Sequence, residues 1–308
     1  ERLSELQYKG WGSAALIGAT VASLVLANLP ATSAAWLAFW AGHVGPVIGA
    51  HQLSVRGWVN EGLMAVFFFI VGLEIKLELR RGSLASIRKA ILPCIAALGG
   101  MLTPMAVYFA VQLLMGGGSL LALTVPMATD IAFAMAIFGL FRSRMPPSAS
   151  AFLLTLATVD DLGAIFVLAT CFSSHLSLPF LAAAAGITAV LTAVGRSKNN
   201  DARVFAAGGA GLWWCLLRGG VNADIAGVLA ALCISTQAKF TPANGDEEML
   251  THRMVERLSP ISTFLIMPIF ALANTAVKLG AAASAGTAAA AGAAASVAPA
   301  VGIGAGLL

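Results

Sequence analysis

Charged residues are scarce in this sequence. Only 10% of its 308 residues are Asp, Glu, Lys or Arg, whereas 59% are hydrophobic, and the mean hydropathy is +0.88. A soluble globular domain carries roughly 25% charged residues. A chain with so few charges cannot cover a water-facing surface, which excludes an ordinary soluble domain and indicates that lipid is the solvent. We expect one transmembrane domain over residues 1–308.

Patterns typical of disulfide frameworks, metal centres and nucleic-acid binding are also missing. The four cysteines form no C-x-x-C pair and lie apart in apolar stretches, so we interpret them as small buried hydrophobic residues. The net charge of +4 comes without any basic run with interleaved aromatic residues, so we expect no nucleic-acid partner. The cysteines are Cys94, Cys171, Cys215 and Cys233.

Long apolar runs are abundant, and each is typical of a membrane-spanning helix of roughly 20 residues. A tenth run begins near residue 290. With the N-terminus in the cytoplasm, fifteen of the eighteen Lys and Arg residues fall in inside segments and three fall outside. This asymmetry follows the positive-inside rule and predicts an all-α polytopic membrane protein. The nine complete runs lie at residues 11–29, 58–77, 88–114, 119–141, 148–173, 178–195, 203–218, 221–237 and 257–276.

Three acids lie well inside predicted spans: Asp130, Asp160 and Asp161. All the basic residues fall in loops or at span ends, so the sequence offers these acids no intramembrane ion-pair partner. A carboxylate at mid-membrane costs at least about 2.5–3.5 kcal/mol, so burial favours the protonated form. One interpretation is that these acids simply stay protonated. We favour the other, in which a carboxyl that releases its proton when a cation arrives is a carrier site.

Asp160 and Asp161 are adjacent on one predicted helix, and their side chains point about 100° apart. Both can border one water-filled cavity only if this helix forms its wall. Their hard oxygen ligands suit alkali and alkaline-earth ions, and no His or Cys lies nearby to favour a transition metal. Asp130 follows Thr129 and Pro126. The proline predicts either an ordinary kink or a broken helix whose free backbone groups face an ion.

Several segments resemble signatures of the bacterial NhaA-type sodium/proton antiporters, and they occur in that family's order over most of the chain. The most informative are A-T-D-I-A-F-A and D-D-L-G-A-I, at residues 128–134 and 160–165. The others are W-V-N-E-G-L-M-A-V-F-F-F at 58–69, G-L-E-I-K-L-E-L at 72–79, R-G-S-L-A-S-I-R at 81–88 and P-I-F-A-L-A-N at 268–274.

The resemblance implies an inverted-repeat transporter fold with discontinuous helices. It implies export of cytoplasmic sodium or lithium in exchange for external protons, with no cofactor and no enzymatic activity. It assigns ion and proton binding to Asp160 and Asp161, with Asp130 and Thr129 as supporting residues. Glu74 is placed in a cytoplasmic funnel. Alternatively, Glu74 is a helix-end acid paired with Lys76 or Arg80.

The sequence also departs from the family pattern. It ends at G-I-G-A-G-L-L, before the lysine of the tenth helix and before the second broken helix, so we expect a second repeat that is incomplete in this chain. Asn222 stands where some relatives carry a histidine tied to the pH response.

The external stretch 46–56 is expected to form a hairpin that helps to build a homodimer. The resemblance places the protein in a bacterial inner membrane, with an organellar membrane as the alternative.

Other functions stay open at this point. A sodium-coupled carrier of an organic solute would use the acids only for coupling, and a degenerate membrane subunit would transport nothing. An intramembrane aspartyl protease needs aspartates on different helices and fits poorly, because these two are adjacent and no G-x-G-D motif is present.

Overall fold

The structure is a computed structural model, and it describes residues 2–48, 51–115, 145, 147–171, 176–197, 201–235, 239–240 and 248–278. The described residues are mostly helical. The α-helices are α1 (Arg2–Asn28), α2 (Ser33–Ala41), α3 (Val55–Gly57), α4 (Met64–Arg81), α5 (Ile87–Met115), α6 (Pro147–Cys171), α7 (Leu178–Arg196), α8 (Ala202–Gly219), α9 (Ile225–Cys233), α10 (Leu250–Ile261) and α11 (Met267–Asn274).

Shorter elements connect or extend these helices. One π-helical turn, Trp58–Leu63, leads into α4, and a second, Ser262–Ile266, joins α10 to α11 just after Pro260. Proline removes one backbone donor, which favours such a local irregularity. The remaining elements are a 3₁₀ turn (Ser83–Ala85) and two antiparallel hairpins, β1 (His43–Ile48) with β2 (His51–Ser54), and β3 (Lys239–Phe240) with β4 (Glu248–Met249).

Most predicted spans coincide with helices. The runs at 11–29, 88–114, 148–173, 178–195 and 203–218 match α1, α5, α6, α7 and α8 within a few residues, apart from the N-terminal extension of α1. The run at 119–141 and the tenth run lie outside the described residues. Within the described part of the chain, three helical segments are long and apolar enough to cross a membrane, and a bent pair makes a fourth. The count of nine spans therefore stays a prediction.

The eighth run is a clear difference from expectation. We predicted a span over 221–237, but α9 has only nine residues and the backbone becomes extended at Ile234. Nine residues rise about 13 Å, which is less than half the roughly 30 Å hydrocarbon core. Two ends were also misplaced, because α4 continues to Arg81 and the last helical segment begins at Leu250.

The segment after α1 is more structured than the predicted external loop. The chain bends by 113° between Ala14–Asn28 and Ser33–Ala41, and the predicted hairpin follows α2. Strand β1 contains Gly45 at a positive φ of 93°. A side chain there would also meet the Trp58 ring at 3.1 Å. Trp58 in turn donates its indole N–H to the Val44 carbonyl at 2.7 Å, which ties the hairpin to the start of α4.

Side-chain contacts give the relative directions of the helices. Helices α1 and α11 are parallel, because Ser23 Oγ donates to the Leu272 carbonyl at 2.7 Å and Asn28 Nδ2 donates to the Val277 carbonyl at 2.9 Å. Helices α7 and α8 are antiparallel, because Leu181 faces Gly219 whereas Leu191 faces Gly208. Both relations agree with the in-and-out alternation that the charge asymmetry predicts.

Helices α4 and α9 form the most intimate pair among the described elements. A Cβ added at Gly227 would lie 2.0 Å from the Ala65 carbonyl oxygen, and one added at Gly72 would lie 2.9 Å from Ala231 Cβ. The helices are parallel, because 65 faces 227 and 72 faces 231. Glycine at both contact points lets the backbones approach this closely, as is common between membrane helices.

The outer faces of the long helices are apolar and exposed. On α5, Leu92, Ile95 and Leu102 are 60–64% exposed. The described core lies instead between α4, α9 and the 262–276 segment, where Phe68, Val228 and Phe270 are buried together. Apolar faces turned outward with a core of similar polarity are typical of helices packed in lipid.

Candidate functional site

Helix α6 carries the adjacent aspartates and packs against α4. Thr155 Oγ1 donates to Glu78 Oε1 at 3.3 Å near one end of α4, and Ile165 packs against the core cluster that contains Phe68. The two contacts lie toward opposite ends of α6 and of α4, so the two helices are antiparallel. Asp160 lies between Thr155 and Ile165 on the chain, and is therefore in the interior of α6.

The two aspartates differ in exposure. Asp160 is 4% exposed, and Asp161 is intermediate. Asp160 shares the buried face of α6 with Ala157 and Ala164, three residues before and four residues after it. Asp160 therefore faces the packed interior, whereas Asp161 borders a more accessible space.

Small residues let this face of α6 approach α5. A Cβ added at Gly163 would lie 2.4 Å from Met101 Sδ, and Ala164 is buried together with Ala97 and Met101. A side chain at position 163 would displace the buried Met101 side chain. Gly163 and Ala164 therefore lie on the face of α6 that packs on α5.

Thr129 and Asp130, the other two predicted site residues, lie outside the described residues. Their predicted place beside Asp160 and Asp161 is untested, as is the helix break at Pro126. Within the described chain, no group of three or more His, Cys, Asp or Glu side chains is arranged to hold a metal ion.

Glu74, the proposed funnel acid, lies on an exposed face of α4. Lys76, which one interpretation pairs with Glu74, directs its ammonium group to the backbone carbonyls of Leu232 and Ile234 at the end of α9. A cation at a helix C-terminus is favourable because it neutralises unpaired carbonyls. Glu78 also has a role that the sequence did not reveal, because it accepts the hydrogen bond from Thr155 that joins α4 to α6.

Two acids near span ends received no role from the sequence, and the structure brings them together. Asp224, immediately before α9, is 2% exposed, and Glu61 lies in the π-helical turn before α4. The backbone N–H of Ala223 donates to the Glu61 carboxyl, and the two acids interact electrostatically. The signal available in the sequence was the rarity of acids within apolar runs. The pairing itself depends on the α4–α9 contact.

Neighbouring polar groups fix the backbone around this pair. Asn222, which stands where some relatives carry a histidine, accepts the Asp224 backbone N–H on Oδ1 at 2.9 Å and so shapes the start of α9. Trp213 donates its indole N–H to the Glu61 carbonyl at 2.5 Å and stacks on Trp58 with 6.0 Å between ring centroids. Arg56 lies outside the span, and partial burial lowers the pKa of its guanidinium.

The family assignment rests on comparison with known proteins. The model of the family "Na+/H+ antiporter 1" matches residues 4–308. The Na(+)/H(+) antiporter NhaA of Anaeromyxobacter sp. (strain Fw109-5) is 38% identical over 301 residues, covering 86% of this chain and 65% of the relative. That of Dechloromonas aromatica (strain RCB) is 40% identical over 270 residues, with the same coverage.

A third relative, the Na(+)/H(+) antiporter NhaA of Cronobacter sakazakii (strain ATCC BAA-894), is 41% identical over 272 residues, covering 87% of this chain and 67% of that protein. The chain thus spans about two thirds of the length of the curated relatives it matches, and 65% of the first two. These relatives are transporters rather than enzymes, and the resemblance noted in the sequence motifs is confirmed. The chain belongs to the Na+/H+ antiporter 1 family.

Proposed function

We propose that this protein exchanges cytoplasmic Na⁺ or Li⁺ for external protons, with Asp160 and Asp161 as the shared binding site. The observation that carries the proposal is the burial of Asp160 in the interior of α6, where it is 4% exposed beside the more accessible Asp161. An acid in this position is costly unless it is neutralised. A proton and an alkali cation are the two neutralising partners that an antiporter exchanges.

Competition for the same carboxyl oxygens supplies the coupling. Two like charges on adjacent residues disfavour full ionisation, so at least one carboxyl holds its proton more tightly than an isolated acid would. A Na⁺ ion binds only when the oxygens are ionised, and protons bind only when Na⁺ has left. If the loaded site faces one side of the membrane at a time, this exclusion couples the two fluxes.

The supporting residues follow from the same site. Asp130 and Thr129 belong to the proposal as the acid and hydroxyl beside a helix break at Pro126. Such a break supplies backbone oxygens at membrane depth. Glu74, exposed on α4, attracts cations toward the site from its end of the helix. The inverted-repeat arrangement of one domain over residues 1–308 is part of this proposal.

Orientation and location are proposed from charge. Described basic residues gather at one end of the helices, among them Arg80, Arg196, Arg203 and Arg257, and positive loops face the cytoplasm. We therefore place the N-terminus in the cytoplasm of a bacterial inner membrane. An N-terminal fluorescent tag that is protease-sensitive only from the external side would contradict this orientation.

A homodimer formed through the β1–β2 hairpin is a further part of the proposal. Strands β1 and β2 form an antiparallel hairpin, and Trp58 ties it to the start of α4. An edge strand of such a ribbon offers unpaired backbone groups to a second copy. Chemical cross-linking in membranes should give a dimer that is lost when residues 46–54 are replaced by a Gly/Ser loop.

The antiport activity is tested with the full-length gene product in proteoliposomes that hold a pH-sensitive dye and a preformed acid interior. Adding Na⁺ or Li⁺ outside should dequench the dye because protons leave as the cation enters. Asp160→Asn and Asp161→Asn should each abolish this response. Asp201→Asn is the matched control, because Asp201 is an exposed cap of α8 and asparagine caps a helix equally well.

Two results would contradict the proposal. Normal exchange in both aspartate variants would remove Asp160 and Asp161 from the site. A lack of proton movement with sodium alone, combined with sodium-dependent uptake of a solute, would instead favour an organic-solute carrier.

A further inference from the structure

The pair Glu61 and Asp224 lies at one end of the α4–α9 contact, away from the aspartates of α6. Glu61 lies at the start of this helical segment, whereas Glu78, which contacts α6 through Thr155, lies about 25 Å further along it. The close contacts of α4 with α9 at Gly72 and Gly227 place Glu61 and Asp224 at the same end of the two helices. The two carboxyls are therefore held together by the fold.

One carboxyl oxygen of this pair is buried without a hydrogen-bond partner. Asp224 is 2% exposed, and its Oδ1 makes no hydrogen bond within the described part of the chain. The Glu61 carboxyl does have a hydrogen-bond donor, the Ala223 N–H at the N-terminus of α9. Helix N-termini favour anions. The pair is thus asymmetric: the Glu61 carboxyl accepts a backbone hydrogen bond, whereas Oδ1 of Asp224 makes none within the described part of the chain.

The basic residues of the surrounding described elements do not reach these acids. On α8, Arg218 places its guanidinium over the Phe180 ring of α7, 5.1 Å from the centroid. Arg56 donates to the Ala276 carbonyl at 3.4 Å. On α4, Lys76 binds the opposite end of α9, about 22 Å along the helix from Glu61. The described neighbours supply no counter-charge, so the pair retains a net acid excess.

We propose that Glu61 and Asp224 form a second proton-binding site, in which a proton on Asp224 is shared with the Glu61 carboxylate. The protonated Asp224 becomes a donor toward Glu61, which satisfies the buried oxygen. It also reduces the charge of the pair from two to one. Two ionised carboxyls buried side by side would lack both the hydrogen bond and the charge neutralisation. The site holds one proton per chain at neutral pH and binds no metal cation.

This inference is independent of the antiport activity, because it concerns proton occupancy and not transport. It is tested by infrared difference spectroscopy of the full-length protein in lipid at about pH 7, near neutrality, where exposed carboxyls are ionised. The wild-type spectrum should contain a carboxylic C=O band, sensitive to H/D exchange, that Asp224→Asn removes. Glu61→Gln should keep the band but shift it, because the acceptor changes from a carboxylate to an amide.

Two controls keep the result interpretable. Asp201→Asn, the same change at an exposed cap, should leave the band untouched, and equal thermal unfolding temperatures should show that the near-isosteric variants are folded. An unchanged band in Asp224→Asn would overturn the proposal. A second result would also overturn it. If adding Na⁺ removed the band from the wild-type protein, and the double variant Glu61→Gln/Asp224→Asn no longer responded to Na⁺, the pair would be a metal-cation site.

Discussion

The backbone contact between α4 and α9 predicts an unusually costly Gly→Ala substitution. A Cβ at Gly227 would lie 2.0 Å from the Ala65 oxygen and 2.7 Å from the Phe69 nitrogen, whereas real Cβ contacts essentially never fall under 3.0 Å. Both obstructing atoms are backbone, so no side-chain rotation can relieve the overlap. Helix α9 must move away by about 1 Å, the shortfall between the contact and that limit.

Overpacking of this kind costs typically about 1–3 kcal/mol. The displacement also loosens the contact at Gly72 and the ammonium–carbonyl bonds of Lys76, so the upper part of that range is expected. Alanine's better helix propensity returns up to about 1 kcal/mol. We therefore expect Gly227→Ala to reduce the free energy of unfolding by about 2 kcal/mol.

Gly186→Ala is the matched control, because Gly186 also lies within a helix but has no atom within 4 Å of its added Cβ. It should be neutral or slightly stabilising. The measurement is thermal and denaturant unfolding of both variants in the same detergent, followed by intrinsic fluorescence. If Gly227→Ala is as stable as Gly186→Ala, the helices are not in backbone contact and the reasoning for the position of Asp224 fails.

Two further sets of substitutions test other contacts. Asn60 and Asn274 exchange amide hydrogen bonds of 3.2 and 2.8 Å between the π-helical turn and α11, so a double-alanine cycle should give a coupling of about 0.6 kcal/mol, up to about 1.7, as for hydrogen bonds between membrane helices. Additive single effects would contradict the pairing. At the start of α8, Asp201 caps the helix by accepting the Arg203 N–H at 3.0 Å. Asp201→Ala should therefore lower the free energy of unfolding by about 1 kcal/mol, whereas Asp201→Asn should hardly change it. Equal losses in both variants would show that the cap is unimportant.

Much of the helical framework could be predicted because lipid imposes a simple rule on the sequence. Backbone groups in a bilayer must be paired within the chain, so an apolar run of sufficient length becomes a helix. That rule locates α1, α5, α6, α7 and α8 correctly. It failed at α9, because the backbone is already extended at Ile234, before the end of the predicted run at residue 237. Hydropathy does not report where a short helix ends when neighbouring protein satisfies its last carbonyls.

At the candidate site, too, the sequence predicts one part and the packing decides another. Asp160 and Asp161 stand out in the sequence because their acidity conflicts with an apolar run, and α6 does bury Asp160. Gly163 and Ala164 decide which face of α6 meets α5. They do not stand out in the sequence, because small residues occur throughout a chain with 32 glycines. Composition therefore identifies the acids, whereas only the packing shows which of the two is enclosed.

Glu61 and Asp224 could not be paired from the sequence for a related reason. More than 160 positions separate them, and each lies near a span end, where an acid is usually solvated and unremarkable. Their proximity depends on parallel packing of α4 and α9, which in turn requires glycine at both 72 and 227. The same packing puts Lys76 at the far end of α9, so one segment supplies an acid at the helix N-terminus and a cation at the C-terminus. This complements the dipole of α9 at both ends. A nine-residue helix is too short to cross the hydrocarbon core, and these contacts hold it in place within the protein.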